Sequence, residues 1–76
     1  MKDLLVYITQ NLVEKTDDIS VAERETEAGI VYELSVASDD MGKVIGRHGR
    51  IAKDIRTLMR AAGKLRDMRV SVDIIG

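Results

Sequence analysis

The sequence has 76 residues, of which 45% are hydrophobic, with no cysteine, no proline and a formal net charge of −1. This length predicts one small domain over residues 1–76. The lack of cysteine excludes a disulfide framework and thiolate metal ligands, and no apolar run approaches the roughly 20 residues that span a bilayer. Because the start of the chain also lacks a signal-peptide pattern, the sequence predicts a cytoplasmic protein with no membrane segment.

The first half of the chain predicts one helix and two strands. Residues 1–15 place apolar side chains three and four positions apart, which is the pattern of an amphipathic helix. Residues 19–27 and 30–37 read as strands, the second with regular alternation of apolar and polar residues. The connection through Glu27, Ala28 and Gly29 is short, so the two strands are predicted to form an antiparallel hairpin.

A short helix is predicted after Ser38-Asp39-Asp40, because the serine can cap a helix and the carboxylates suit the positive end of its dipole. Met41, Val44 and Ile45 are predicted to face inward. Gly46 can end this helix.

The last third of the chain predicts a longer helix and a final strand. The helix covers residues 50–62, and Gly63 is its predicted C-terminal stop. Its apolar stripe follows helical spacing and consists of Ile51, Ile55, Leu58, Met59 and Ala62. Residues 64–67 are a predicted loop, and residues 68–74 alternate apolar and polar side chains as a strand does.

The predicted order is therefore helix, strand, strand, helix, helix, strand. The connection between the second and third strands exceeds the dozen residues that a parallel crossover requires. The sequence thus predicts an α+β fold in which a mixed three-stranded sheet carries three helices on one face. Tyr7 and Tyr32 are the only aromatic residues; both lie in apolar patterns and are predicted to be buried or half-buried. Their scarcity argues against an aromatic platform for stacking bases.

Charge is divided unevenly along the chain. Residues 1–40 carry three basic and ten acidic side chains, a net charge of −7, whereas residues 41–70 carry nine basic and two acidic ones, a net charge of +7. This asymmetry indicates a polyanionic partner for the second half. Two solvated surfaces that attract each other would give the same counts, so the charge alone leaves both interpretations open.

The most informative stretch is Gly46-Arg47-His48-Gly49, between the two predicted helices. Two glycines around two polar residues let the backbone turn sharply and leave its N–H groups uncovered. The N-terminal end of the next helix also favours anions, and this combination suits a nucleic-acid backbone rather than base edges. The candidate binding residues are Lys43, Gly46, Arg47, His48, Gly49, Arg50 and Lys53.

Ile45-Gly46-Arg47-His48-Gly49, followed by Ile51, resembles the GXXG signature of KH domains, and the order of elements resembles the type II KH arrangement. More narrowly, residues 41–46 and 49–53 resemble the small stand-alone bacterial KH proteins of the KhpA group. The resemblance covers essentially all of residues 1–76. It implies that the loop at 46–49 clamps about four nucleotides of single-stranded RNA.

The same resemblance implies that Arg47 and His48 are the exposed tips of the loop. It places a variable loop at residues 63–67, where Lys64 and Arg66 would extend the basic rim. It also implies a role in post-transcriptional regulation, and either a homodimer or a heterodimer with a larger Jag-type protein that carries its own KH domain.

Two other functions remain open from the sequence. One is a helix-turn-helix-like reader of duplex DNA, although the exposed face of the second helix lacks Asn or Gln for adenine. The other is a protein-interaction adaptor whose acidic first half engages a partner. An enzyme is disfavoured, because no Ser/His/Asp or Cys/His set and no GxxxxGK[ST] loop is present. The sequence therefore predicts no catalytic residues, no metal ligands and no cofactor.

Overall fold

A computed structural model describes residues 1–75 of the chain. Its helices and strands are α1 (Lys2–Gln10), β1 (Ser20–Thr26), β2 (Gly29–Ser35), α2 (Met41–Ile45), α3 (Arg50–Leu65) and β3 (Val70–Ile75). Single turns of 3-10 helix lie at Thr16–Asp18, Ser38–Asp40 and Arg47–Gly49. The order of elements confirms the prediction and is the order of a type II KH fold.

The three strands form a mixed sheet in the order β1-β2-β3. β1 pairs antiparallel with β2, which places Val21 opposite Leu34, and β2 pairs parallel with β3, which places Tyr32 opposite Val72. These four side chains are buried beneath the helices, because alternate residues of a strand point to the same face. The alternation predicted for β2 and β3 is thereby confirmed.

The hydrophobic core lies between the helices and one face of the sheet. It consists of Leu5, Val13, Val21, Tyr32, Leu34, Val44, Ile55, Met59, Val70 and Val72. Tyr32 is buried as predicted, but Tyr7 is 65% exposed. The prediction for Tyr7 is wrong because Leu5 and Thr9 occupy the inward side of α1, and a residue midway between them on a helix points away from that side.

α1 ends at Gln10, five residues before the predicted end at Lys15. The N–H groups of Leu12 and Val13 both donate to the carbonyl of Thr9, at 2.9 and 3.1 Å, which tightens the chain into a turn. Val13 is nevertheless part of the core. The helical spacing of apolar residues thus continues past the end of α1. The helix ends early because the segment after it makes a tertiary contact, which periodicity does not reveal.

That contact is made by Asp40, whose carboxylate accepts the backbone N–H groups of Glu14 and Lys15 at 3.3 and 3.0 Å. Asp40 was predicted to favour the start of α2, but it makes no cap hydrogen bond there and is only 1% exposed. The N–H of Lys15, supported by the N–H of Glu14 and the ammonium of Lys43, holds the pKa of Asp40 below its usual value in spite of burial. Asp40 fastens the segment after α1 to the start of α2.

α3 continues through Gly63, the predicted stop, and ends at Leu65. The N–H groups of Asp67 and Met68 donate to the carbonyls of Lys64 and Gly63 at 3.1 and 2.8 Å, and Asp67 has a φ of +57°. This is the Schellman ending of a helix, with an aspartate in the left-handed position that glycine usually fills.

Gly63 serves close packing instead of helix termination. A Cβ at this position would lie 2.8 Å from both the Met68 carbonyl oxygen and Cγ2 of Val70, so the glycine lets α3 approach β3. Two apolar residues predicted to face inward are also partly exposed, Ile45 at 39% and Leu58 at 55%. Fewer apolar residues of α2 and α3 are therefore buried than the sequence pattern predicts.

Candidate nucleic-acid interface

The loop from Gly46 to Gly49 has an unusual backbone. Gly46 has φ 76° and ψ 174°, His48 has φ 58° and ψ 23°, and Gly49 has φ 74° and ψ 14°. Three of its four residues thus have positive φ. This conformation is uncommon for a residue other than glycine, such as His48. Arg47 and His48 are both exposed, as the sequence predicts.

The two glycines of the loop are needed for different reasons. Gly46 ends α2 by donating its N–H to the Gly42 carbonyl at 2.9 Å. A Cβ on Gly46 would lie 2.6 Å from Cγ1 of Ile51, whereas a Cβ on Gly49 would meet nothing within 4 Å. Glycine is therefore needed at position 46 both for the positive φ and for the close approach of Ile51 on α3. At position 49 it is needed only for the positive φ.

Alanine substitutions should separate these roles. Gly46→Ala should lower the free energy of unfolding by more than about 2 kcal/mol, because its backbone region is essentially restricted to glycine and its Cβ overlaps Ile51. Gly49→Ala should cost only about 1 kcal/mol, the left-handed strain alone. Gly42→Ala should stabilise by roughly 0.5 kcal/mol, because Gly42 lies in α2 with open space around it. Urea unfolding of the three variants measures the ranking, and equal effects at Gly46 and Gly49 would contradict it.

The loop leads directly into the N-terminus of α3. This 16-residue helix has no side-chain hydrogen bond at its N-cap, Gly49, and no acidic residue in its first turn. The first N–H groups of a helix have no partner within it and carry the positive end of its dipole. The N–H of Arg50 donates to the Arg47 carbonyl in the preceding turn, but no carboxylate at the start of α3 competes with an anionic group, and Arg47 and Arg50 lie beside it.

A row of basic side chains continues from the loop along one flank of α3. Lys53, Arg56 and Arg60 are spaced three and four residues apart, so they share a side of the helix, and all three are exposed. The Nε of Arg56 donates to the backbone carbonyl of Val72 at 3.2 Å, which brings this flank against the free edge of β3. We call this junction the α3–β3 edge.

Lys43 differs from the other candidate residues. Its ammonium lies 3.1 Å from the Glu14 carboxylate and 3.2 Å from that of Asp40, and the hydrogen bond to Glu14 is the main reason that the pKa of Lys43 is raised. Among residues 1–75, the ion pairs of the structure involve Lys15, Arg24 and Lys43 but none of the other candidate cations. Lys43 is thus engaged within the fold, while Arg47, Arg50 and Lys53 are not.

The structure gives Arg56 a definite place that the sequence does not. From the sequence it is one of several basic residues on an exposed helical face; the hydrogen bond to Val72 places it at the α3–β3 edge. The only sign of this position in the sequence was the spacing of three residues between Lys53 and Arg56, which places both on one side of the helix. The loop predicted at residues 63–67 lies later in the chain, at residues 66–69 between α3 and β3, because Lys64 lies within α3.

Within residues 1–75, no cluster of three or more His, Asp or Glu side chains could hold a metal ion. None of the helices in that range is both long and apolar enough to cross a membrane.

Comparison with known proteins gives consistent matches over the whole chain. The family model described as KhpA/KhpB, KH domain, matches residues 2–74. The RNA-binding protein KhpA of Clostridium acetobutylicum is 51% identical over 75 residues, covering 99% of this chain and 100% of that protein. The proteins of the same name from Listeria monocytogenes and Chlamydia trachomatis are 43% and 41% identical, each over 99% of this chain and over 99% and 96% of their own lengths. No solved structure gives a significant match. By its full-length family match and these relatives, the chain belongs to the KhpA/KhpB family of KH-domain proteins.

Proposed function

We propose that this protein binds single-stranded RNA and holds about four nucleotides at the loop Gly46–Gly49, in a role in post-transcriptional regulation in the cytoplasm. The relatives that match over the full chain are named RNA-binding proteins, and a KH loop clamps about four backbone nucleotides. Binding, and not catalysis, is the activity that these names support.

The observation that carries the proposal is the geometry of the loop. Its left-handed residues His48 and Gly49 leave the side chains of Arg47 and His48 exposed, directly before the N-terminus of α3, which has no side-chain cap. A phosphate at this position can accept hydrogen bonds from side chains and from backbone N–H groups at once. Arg50 and Lys53 on the first turns of α3 extend the positive charge in the direction of the α3–β3 edge.

Salt dependence tests whether the loop binds phosphates. Contact with three or four phosphates should give a slope of roughly −2 to −3 in a plot of log binding constant against log salt concentration, at about −0.7 per contact for a single strand. Fluorescence anisotropy with a labelled, unstructured RNA measures this slope. A flat response would contradict a phosphate clamp.

Duplex DNA is the strongest competing ligand class, through a helix-turn-helix reading of α2 and α3. The left-handed backbone at His48 and Gly49 directs the loop itself outward, which suits a strand laid across the loop better than α3 inserted in a major groove. Unlabelled single-stranded RNA should therefore displace the labelled RNA at much lower concentration than a DNA duplex of the same length. The reverse order would favour the DNA reader.

A protein partner is part of the proposal, either a second copy of the chain or a larger Jag-type KH protein. Its support is an apolar surface: Leu58 and Leu65 on α3 are 55% and 90% exposed. Helical spacing places both on the opposite side of the buried stripe from Lys53, Arg56 and Arg60, so a partner there would leave the α3–β3 edge open. Sedimentation velocity of the pure chain tests the homodimer, and a monomer at all concentrations would leave only the heterodimer.

A further inference from the structure

Four residues connect the segment after α1 to α2 through a closed set of polar contacts. The Asp40 carboxylate accepts the backbone N–H groups of Glu14 and Lys15, and its Oδ1 also lies 3.2 Å from the ammonium of Lys43. The same ammonium lies 3.1 Å from the Glu14 carboxylate, which closes the set. We call Glu14, Lys15, Asp40 and Lys43 the Asp40 network.

The orientation of α2 depends on such tertiary contacts. The helix is five residues long, and Val44 is its only fully buried residue. A helix of this length is not stable by itself in water. Apolar burial is non-directional, whereas hydrogen bonds require defined distances and angles. Burial of Val44 therefore attaches α2 to the core, and the Asp40 network sets the direction in which the helix points.

The direction of α2 determines the position of the loop Gly46–Gly49. Gly46 ends the helix, and the exposed side chains of Arg47 and His48 follow it directly. At 1.5 Å per residue, Gly46 lies about 9 Å along the helix from Asp40, so a tilt of about 10° would move the loop by roughly 1.5 Å. Hydrogen bonds to a phosphate are lost over a shift of that size. A change at Asp40 can therefore alter RNA binding at the loop.

We infer that Asp40 is a positioning residue for RNA binding, and that Lys43 contributes through the same network and not through a phosphate contact. Asp40 is 1% exposed, so it can act on RNA only through α2 and the loop. The ammonium of Lys43 already has two carboxylate partners, and a phosphate would have to replace Glu14 to reach it. The inference rests on the proposed function and extends it to residues that do not touch the RNA.

The first measurement compares the RNA affinities of Asp40→Asn and Leu5→Val. Asparagine keeps the shape of aspartate but places an NH2 donor against a backbone N–H donor, and it removes the charge that pairs with Lys43. Leu5→Val lowers stability by removing a buried methylene from α1, nine residues before Glu14 in the sequence. Fluorescence anisotropy is measured at a temperature where circular dichroism shows both variants to be folded. Asp40→Asn should bind RNA about tenfold more weakly than wild type, and Leu5→Val should bind it as wild type does.

The second measurement follows hydrogen exchange in Lys43→Met and needs no RNA. The side chain of Lys43 is half-exposed, so this variant should fold. The N–H of Gly46 donates to the Gly42 carbonyl, and its exchange reports local opening of α2. Loss of both ion pairs should speed exchange at Gly46 about fivefold and leave exchange at Leu34, on the central strand β2, unchanged. Lys2→Met, which removes an exposed lysine from α1, is the control and should change neither rate.

Each result supports or overturns the inference. Wild-type affinity in folded Asp40→Asn overturns it, and so does an equal loss in Leu5→Val, which would mean that affinity follows stability alone. If Asp40→Asn does not fold, exchange in Lys43→Met decides: an unchanged rate at Gly46, or equal acceleration at Gly46 and Leu34, overturns the inference. If wild type binds no RNA, the proposed function itself fails, while the exchange rates still show whether the Asp40 network holds α2.

Discussion

Changing Arg47 and His48 together to aspartate should weaken RNA binding by about 100-fold. Each exposed tip is placed to give a charge-assisted or polar hydrogen bond to phosphate, and hydrogen bonds to charged groups contribute roughly 1.5–3 kcal/mol each. A combined loss of about 3 kcal/mol corresponds to about two orders of magnitude in the dissociation constant. Repulsion between the new carboxylates and the phosphates adds to that loss. Anisotropy titration with an unstructured RNA measures the change.

The fold should survive this double substitution. Both side chains are exposed, and aspartate is among the residues that tolerate the left-handed conformation of His48. The circular dichroism spectrum and Tm should therefore stay near wild type. Lys2→Glu with Arg24→Glu likewise introduces two carboxylates at exposed positions, on α1 and β1, and should lower RNA affinity far less. Equal loss in both double variants would mean that net charge, and not the loop, governs binding.

Changing Asp40 to alanine should produce the largest loss of stability among single substitutions of acidic residues. The carboxylate is buried, accepts two backbone N–H groups from the segment after α1 and pairs with Lys43 at 3.2 Å. Its removal leaves these donors without their acceptor, and we expect Tm to fall by roughly 10 °C in a domain of this size. Asp39 is the matched control. Its ion pair with Lys15 at 2.8 Å is exposed on both sides, so Asp39→Ala should change Tm by only a few degrees. Similar shifts in the two variants would contradict the role of Asp40.

The effect of Asp40 should also depend on pH. Its pKa is lowered in the folded state, chiefly by the N–H of Lys15, so the folded protein favours the ionised form. The stabilisation is fully present above the unfolded pKa of about 3.9 and is lost as pH falls through the lower folded value. The difference in Tm between wild type and Asp40→Ala should thus be constant from pH 5 to 7 and shrink below about pH 4. Calorimetry at several pH values measures it, and a difference that grows in acid would contradict the lowered pKa.

Much of the fold could be predicted because its signals are local. The alternation in β2 and β3 and the apolar stripe of α3 both depend on the periods of regular structure. The loop Gly46–Gly49 was also predictable, because a position that requires positive φ is usually occupied by glycine, and the two glycines are visible in the sequence. The order of elements and the candidate loop both follow from such patterns.

The errors lie where distant contacts override local pattern. α1 ends early because the segment after it meets Asp40, which lies 25 residues farther along the chain from Lys15. Gly63 resembles a helix stop, yet α3 continues through it because β3 needs the space that a side chain would fill. Periodicity alone contains no information on which element packs against which.

The sequence by itself determined the α+β order, the GXXG loop and the concentration of positive charge in the second half. Only the tertiary structure decided which of those charges are available. It engages Lys43 with Glu14 and Asp40, places Arg56 against β3 and brings Arg60 and Arg69 to one cleft. The reason is physical: backbone conformation and amphipathic spacing are set by neighbouring residues, whereas the partner of a charge is set by the chain segment that folding brings beside it.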